Sequence, residues 1–258
     1  MNPKSQEEIQ IMTEGGRKLG NIRDALLEFA HPKVTLLQVE EHAQELIEKS
    51  GGTPSFKTVG GYAWATCLCV NDVIVHGIPT MYELRDGDLF TLDIGLLYKG
   101  FHTDTAWTMT VGGNTSISGG ITAHSHFRSV GEAALEGAIR EAKIGNRVGD
   151  ISRAIQTTVE GAGYSVIRAL VGHGVGRMLH EEPQIPGYLR GSVADTPELV
   201  EGMTIAIEVI YAEGASGVMY KGDDGWSIAT RDGSLSAVFE HTIAITKNGP
   251  SVLTKSEK

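Results

Sequence analysis

Apolar positions recur at helical spacing through the first fifty residues. Ile9, Met12, Leu19, Ile22 and Leu26 line one face of a helix, and Leu36, Val39, Ala43 and Leu46 line one face of a second. Each run opens on a capping-box pair, Ser5 with Glu8 and Thr35 with Gln38, in which two side chains satisfy otherwise free amides. Ser50-Gly51-Gly52 stops the second helix. From Phe56 to Val75 the pattern turns β-like, broken at Gly60-Gly61. Two β runs follow, Leu89–Leu97 and Phe101–Val111, around a turn at Tyr98-Lys99-Gly100. A loop of Gly, Ser and Thr, Gly112–Gly120, leads to a helix with the buried stripe Phe127, Val130, Ala134 and Ala138. Asp150 is placed to cap another, carrying Ile151, Ile155 and Val159. A second strand-rich region runs from Ser165 to Thr246, and the polar tail after Leu253 is expected to fray.

One pattern occurs twice. Glu83-Leu-Arg-Asp-Gly-Asp-Leu-Phe-Thr-Leu-Asp93-Ile returns, at an offset of 115, as Glu198-Leu-Val-Glu-Gly-Met-Thr-Ile-Ala-Ile-Glu208-Val. Turn, glycine and strand coincide often by chance. Here Glu-Leu, the glycine and a strand-end acid coincide as well, which favours a duplicated α/β half with a pseudo-twofold axis. Alternation puts Phe90, Leu92 and Ile94 on one face and Thr91 and Asp93 on the other; Ile205, Ile207 and Val209 likewise oppose Ala206 and Glu208. An acid in so apolar a strand is costly unless neutralised. For one such acid a partner Arg or Lys is the ordinary explanation. For two at equivalent places, a cation between them is the better one.

Two more acids join them. Asp104 lies across the turn from Asp93, and Glu240 stands in Ser236-Ala-Val-Phe-Glu-His-Thr242. Four clustered carboxylates do not all ionise without compensation, and two divalent cations would supply it. His173 in Gly172-His-Gly-Val-Gly176, His180 in His180-Glu-Glu-Pro183 and His76 in Val73-Ile-Val-His-Gly-Ile-Pro79 each occupy a turn near an acid-bearing strand. A lone strand-end histidine is usually structural; three in this setting favour a functional reading. His31, His42, His124 and His126 take the structural reading, and His102 and His241 are candidates only to support neighbouring acids.

Composition narrows the classes. With 41% hydrophobic and 21% charged residues the chain is an ordinary globular one. No linker divides it, so one domain over residues 1–258 is expected. A net charge of −10 argues against nucleic acid or an anionic membrane as partner. No apolar run approaches the roughly 18 residues of a membrane span, and Met1 to Ile11 carries no signal-peptide pattern. Cytoplasmic residence is the expectation. The two cysteines, Cys67 and Cys69, share one strand face and imply no disulfide.

Together, Asn71–Pro79, Thr91-Leu-Asp-Ile-Gly95, Asp104, Gly172–Gly176 with His180–Pro183, Ile207-Glu208 and Phe239-Glu-His-Thr242 resemble the type I methionine aminopeptidases of peptidase family M24, in order and spacing, over nearly the whole chain. The resemblance implies the pita-bread fold, an α/β (α+β) sandwich of pseudo-twofold halves around a central antiparallel sheet. It implies five metal ligands, Asp93, Asp104, His173, Glu208 and Glu240, holding two divalent cations; cobalt, manganese, iron and zinc all suit such donors. It further implies removal of the N-terminal methionine from nascent polypeptides at the ribosome, with a small second residue, by a monomer. Glu208 would shuttle protons, and His76 and His180 would contact substrate. Tyr62, Cys67, Leu179 and Trp226 are candidate walls of the methionine pocket; Trp226 could equally be plain core, and Cys67 is not needed as a nucleophile. Only 27 positions separate His180 from Glu208, too few for the helical insert of type II enzymes. Val209 stands where the family usually has proline, and Leu179 where it often has an aromatic ring. The segment Val59-Gly-Gly-Tyr-Ala-Trp64 departs from the aromatic-rich version. A same-fold aminopeptidase of different preference, cleaving before proline, and a non-catalytic binding protein of the fold are the alternatives.

Overall fold

The computed structural model describes residues 3–113 and 124–257. Of the loop expected at Gly112–Gly120, residues 114–120 lie outside them. Both N-terminal helices form, α1 over Gln6–Phe29 and α2 over Leu36–Ser50, and both capping boxes close. The stretch from Phe56 departs from expectation. Strands are confined to β1 (Thr53–Pro54), β2 (Thr66–Val70) and β3 (Val73–Val75), and Phe56–Thr58 is a 3-10 turn. The amides of Thr58, Val59 and Tyr62 bond carbonyls three residues back. Spent locally, they are not available to a ladder.

β4 (Leu89–Tyr98) and β5 (Phe101–Thr110) form a hairpin in which Tyr98 still pairs with Phe101. Its turn is therefore Lys99-Gly100 alone, both at positive φ (48° and 85°), as a tight two-residue hairpin requires. α3 (Ser125–Glu141) and α4 (Val148–Gly161) follow. Asp150 is not the cap of α4. Arg147 holds that place, and Asp150, three residues in, accepts its amide at 2.9 Å. The second half then runs through β6 (Ser165–Val166), β7 (Val171–Gly174), β8 (Glu181–Pro186), β9 (Thr204–Ala212), β10 (Val218–Tyr220), β11 (Ile228–Thr230), β12 (Ser236–Thr246) and β13 (Gly249–Val252).

Among the described residues every ladder is antiparallel. β4 lies between β5 and the pair β1 and β2; β9 lies between β12 and β7; β3 joins β11 and β10 in a small third sheet. The two copies of the repeated pattern occupy β4 and β9. Phe90, Leu92, Ile94 and Leu96 pack in one core with α1 and α2; Ile205, Ile207 and Val209 pack in another with α3 and α4. Each such side chain contributes about 2 kcal/mol on burial. A one-residue slip of either strand would expose its whole set and bury its acid against helices, so the register is firmly specified. Helices thus cover the outer faces, and the acids look inward.

The tail does not fray at once. Leu253 and Thr254 are fully buried. The Leu253 amide donates to the Thr242 carbonyl at 2.9 Å, and the Thr254 hydroxyl accepts the Thr242 amide at 3.1 Å. Bare helix surface makes this possible: a Cβ at Gly16 or Gly20 would come within 2.5 or 2.6 Å of the Leu253 or Thr254 carbonyl oxygen. Arg23 of α1 is buried there as well and donates to the Thr254 carbonyl at 3.4 Å. Among the described residues no helix is long and apolar enough to cross a membrane.

Candidate metal centre and pocket

Strand register assembles the four acids. Asp93 opposes Ala106 and Asp104 opposes Gly95, so the two aspartates lie diagonally on one face of the β4–β5 hairpin. Glu208 and Glu240 are direct partners across β9 and β12. His173, on β7, pairs with Ala206 and shares the face of Glu208. Its Nε2 lies 3.5 Å from Glu208 Oε1 and 4.0 Å from Asp104 Oδ2. Donor atoms of Asp104, His173 and Glu240 all lie within 4.8 Å of one another. Two glycines permit this. A Cβ at Gly172 would stand 2.5 Å from the Ala206 carbonyl oxygen, and one at Gly174 would stand 2.5 Å from that of Glu182.

The electrostatics are those of crowded, buried acids. Burial pushes all four carboxyls well above the ordinary range. Glu208 adds to this for Asp93, Asp93 for Asp104, and Asp104 for both glutamates. Four buried side-chain polar atoms among the described residues lack a hydrogen-bond partner, and two are Asp93 Oδ1 and Glu240 Oε1. Burial, then the neighbouring His180, lowers His173 to about 4, so its ring is neutral at neutral pH. Its Nδ1 lies 2.8 Å from the Gly174 carbonyl oxygen, which can only accept. The proton is therefore on Nδ1, and Nε2 offers a lone pair to the acids.

The same cavity, about 590 Å³, holds His76, His180, Glu208 and the candidate pocket side chains. The His180 ring sits 4.5 Å from that of His173, edge to face. His76 takes positive φ, 57°, at the end of β3. Both residues line the cavity and are exposed. Partial burial, with His180 as a second cause for His76, holds both below the ordinary imidazole range. Tyr62, Cys67 and Leu179 form a buried apolar cluster with Phe56, flanked by Trp226. The Tyr62 and Trp226 rings meet at 5.0 Å and 74°, so Trp226 is a wall of the cavity rather than plain core. Burial raises both the Tyr62 hydroxyl and the Cys67 thiol, leaving Cys67 protonated and a poor nucleophile.

Other positions fall differently. His241 cannot support Glu240, because consecutive strand residues point to opposite faces. Its Nδ1 lies 2.8 Å from the Thr254 hydroxyl and its ring against Trp107. His102 is buried, its Nδ1 2.5 Å from the Ser55 hydroxyl. Phe56 was not legible as a wall, since it reaches the cavity only through the 3-10 turn. Neither was the pairing of Lys4 with Glu181. Buried Lys4 meets Glu181 at 2.5 Å, and Glu181 also accepts the Met178 amide at 3.1 Å.

Comparison with known proteins agrees with this architecture. Residues 10–247 match the model of the family described as metallopeptidase family M24. A methionine aminopeptidase from Clostridium perfringens is 41% identical over 251 residues, covering 97% of each chain. The crystal structure of methionine aminopeptidase from Thermotoga maritima superposes with a TM-score of 0.91 at 41% identity, covering 99% of each. A prolidase from Pyrococcus furiosus, at 23% identity and a TM-score of 0.77, covers 99% of this chain and 66% of its own, and shares the pita-bread fold alone.

Proposed function

Because the chain belongs to metallopeptidase family M24, we propose that it is a metal-dependent aminopeptidase that removes the N-terminal methionine from polypeptides. The observation that carries this is the meeting, in one cavity, of crowded buried acids with an apolar pocket and two neutral histidines. Divalent cations fit the acids. Asp93 Oδ1 and Glu240 Oε1 are buried oxygens without a donor, and His173 adds a neutral nitrogen whose free lone pair faces them. Asp93, Asp104, His173, Glu208 and Glu240 would hold two ions. Oxygen and imidazole donors suit manganese, iron, cobalt or zinc. Such ions supply Lewis acidity and lower the pKa of water.

The chain's own groups do the rest. Glu208 faces the cavity and can take a proton from water and return it to the leaving amine. His180, neutral and with an N–H to donate, can stabilise the oxyanion that develops on the scissile carbonyl. His76 can hydrogen-bond the peptide amide. Tyr62, Cys67, Leu179, Trp226 and Phe56 enclose space for an unbranched thioether. Both histidines hold the substrate backbone near the wall, which favours a small second residue. Nascent chains in the cytoplasm are the natural source of such termini.

The test is hydrolysis of Met-Ala-Ser with purified protein, with chelator, and after metal add-back. The reading expects loss on chelation and recovery with a divalent transition metal. Undiminished cleavage in chelator would overturn it.

A further inference from the structure

The two halves meet where β5 approaches β12, and among the described residues no backbone ladder joins these strands. Threonine hydroxyls take its place. Thr242 accepts the Asp104 amide at 2.9 Å and donates to the Asp104 carbonyl at 2.8 Å. Thr108 does the same in the opposite direction, accepting the Val238 amide at 2.9 Å and donating to the Val238 carbonyl at 2.8 Å. Both hydroxyls are buried. Each brackets both backbone groups of one residue on the facing strand. A third, Thr105, donates to the Glu240 carbonyl at 2.8 Å and receives the Arg23 guanidinium at 3.0 Å.

The two brackets share this geometry and differ in place, and the Thr108 hydroxyl also lies 2.8 Å from that of Thr91. The one at Val238 holds an apolar residue. The one at Asp104 holds a residue whose carboxylate lies within 4.8 Å of Glu240 and His173. Asp104 belongs to one half and Glu240 to the other, so their separation depends on how the seam is closed. Among the described residues the hydrogen bond to the Asp104 carboxylate is a local one, from the Thr105 amide at 3.0 Å, so the carboxylate follows its backbone.

We propose that Thr242 is a positioning residue for Asp104, its hydroxyl fixing the distance between the Asp104 and Glu240 carboxylates across the seam. The proposal rests on the reading of these acids as metal ligands. Thr108, with the same bracket at Val238, serves as the internal control.

The experiment is calorimetric titration of the metal-free full chain with Mn(II), in native protein, Thr242→Val, Thr242→Ser and Thr108→Val, with melting curves alongside. Thr242→Val should bind Mn(II) about 10- to 100-fold more weakly, the usual cost of losing a group that orients a ligand. Thr242→Ser, which keeps the hydroxyl, should restore most of the affinity. Thr108→Val should lower the melting temperature yet leave Mn(II) affinity unchanged. A folded Thr242→Val with native affinity overturns the proposal, as does equal weakening in Thr108→Val. If Thr242→Val does not fold, Thr242→Ser decides: near-native affinity in a folded Ser variant supports the proposal, and lost affinity overturns it. Native protein that binds no Mn(II) overturns the metal-ligand reading itself, and with it this inference.

Discussion

Glu208 and Glu240 stand directly opposite each other on adjacent antiparallel strands, both side chains facing the same cavity. Like charges in that relation destabilise a sheet by up to about 1 kcal/mol. The site is thus built against the interest of the bare fold. Glu240→Gln removes one of the two facing carboxyls, whose ionised forms burial and the neighbouring acids disfavour. In metal-free protein it should leave the melting temperature unchanged or raise it by the equivalent of up to about 1 kcal/mol. The same variant should bind divalent metal at least about tenfold more weakly. A metal-free Glu240→Gln that melts well below the native protein would show that the pair is not repulsive.

The histidines divide by what they touch. His173 Nε2 is 3.5 Å from Glu208, whereas the His180 ring lies edge to face with that of His173 at 4.5 Å. His173→Ala should lose metal affinity in a calorimetric titration. His180→Ala should keep it and lose turnover by about 100-fold or more, the scale of an oxyanion donor. Equal loss of metal affinity in both would reject the division.

Leu179 sets the breadth of the pocket. It is buried against Tyr62, Cys67 and Phe56, where a Phe would add ring surface. One methylene in an apolar pocket discriminates by only about 1–3 kcal/mol, so the aliphatic wall should tolerate leucine and norleucine beside methionine. In Leu179→Phe the ratio of kcat/KM for Met-Ala over Leu-Ala peptides should rise. An unchanged ratio would remove Leu179 from the specificity argument. Ready cleavage of Met-Lys by the native protein would reject the small second residue.

Lys4 predicts a pH signature. Burial alone would raise the Glu181 carboxyl, but hydrogen bonds from Lys4 and from the Met178 amide outweigh it and hold the group below its ordinary range. A carboxyl depressed in the folded state adds stability above its unfolded pKa, about 4.3, and that stability is lost as pH falls through the folded value. The Lys4 side chain is 2% exposed and that of Glu181 11%. Lys4→Met should therefore cost about 1–3 kcal/mol at pH 7, less than a fully buried pair because Glu181 keeps an amide donor. Denaturant melts of native and variant protein should converge as pH falls from about 4.3 through the depressed folded value. A difference independent of pH would trace instead to lost packing around the lysine stem.

Much of this is legible in the sequence. Asp93 and Glu208 betray themselves because a strand alternates, and an acid among Phe90, Leu92 and Ile94 must face away from them. Capping boxes at Ser5 and Thr35 are local and were equally plain. What stayed hidden was non-local. Phe56 becomes a wall only once its turn folds back on the sheet. Lys4 and Glu181 are 177 residues apart. Asp150 was misplaced because acids serve both at a cap and three residues inside it, and the burial of Arg23 and Thr254 depends on each other. Strand parity also disqualified His241, a step the sequence already allowed.

The bare stripe on α1 has a consequence for synthesis. Gly16, Gly20 and Arg23 find their cover in a segment lying 231 residues further along, counted from Arg23 to Thr254. Until that segment emerges, a ribosome carrying the chain displays a helix with an open backbone groove, beside which the Arg23 guanidinium has its neighbour Asp24 but not the Thr254 carbonyl. Contacts of such sequence separation form slowly, so the amino-terminal half should reach its native protection against proteolysis only after the carboxyl-terminal strap is free to dock.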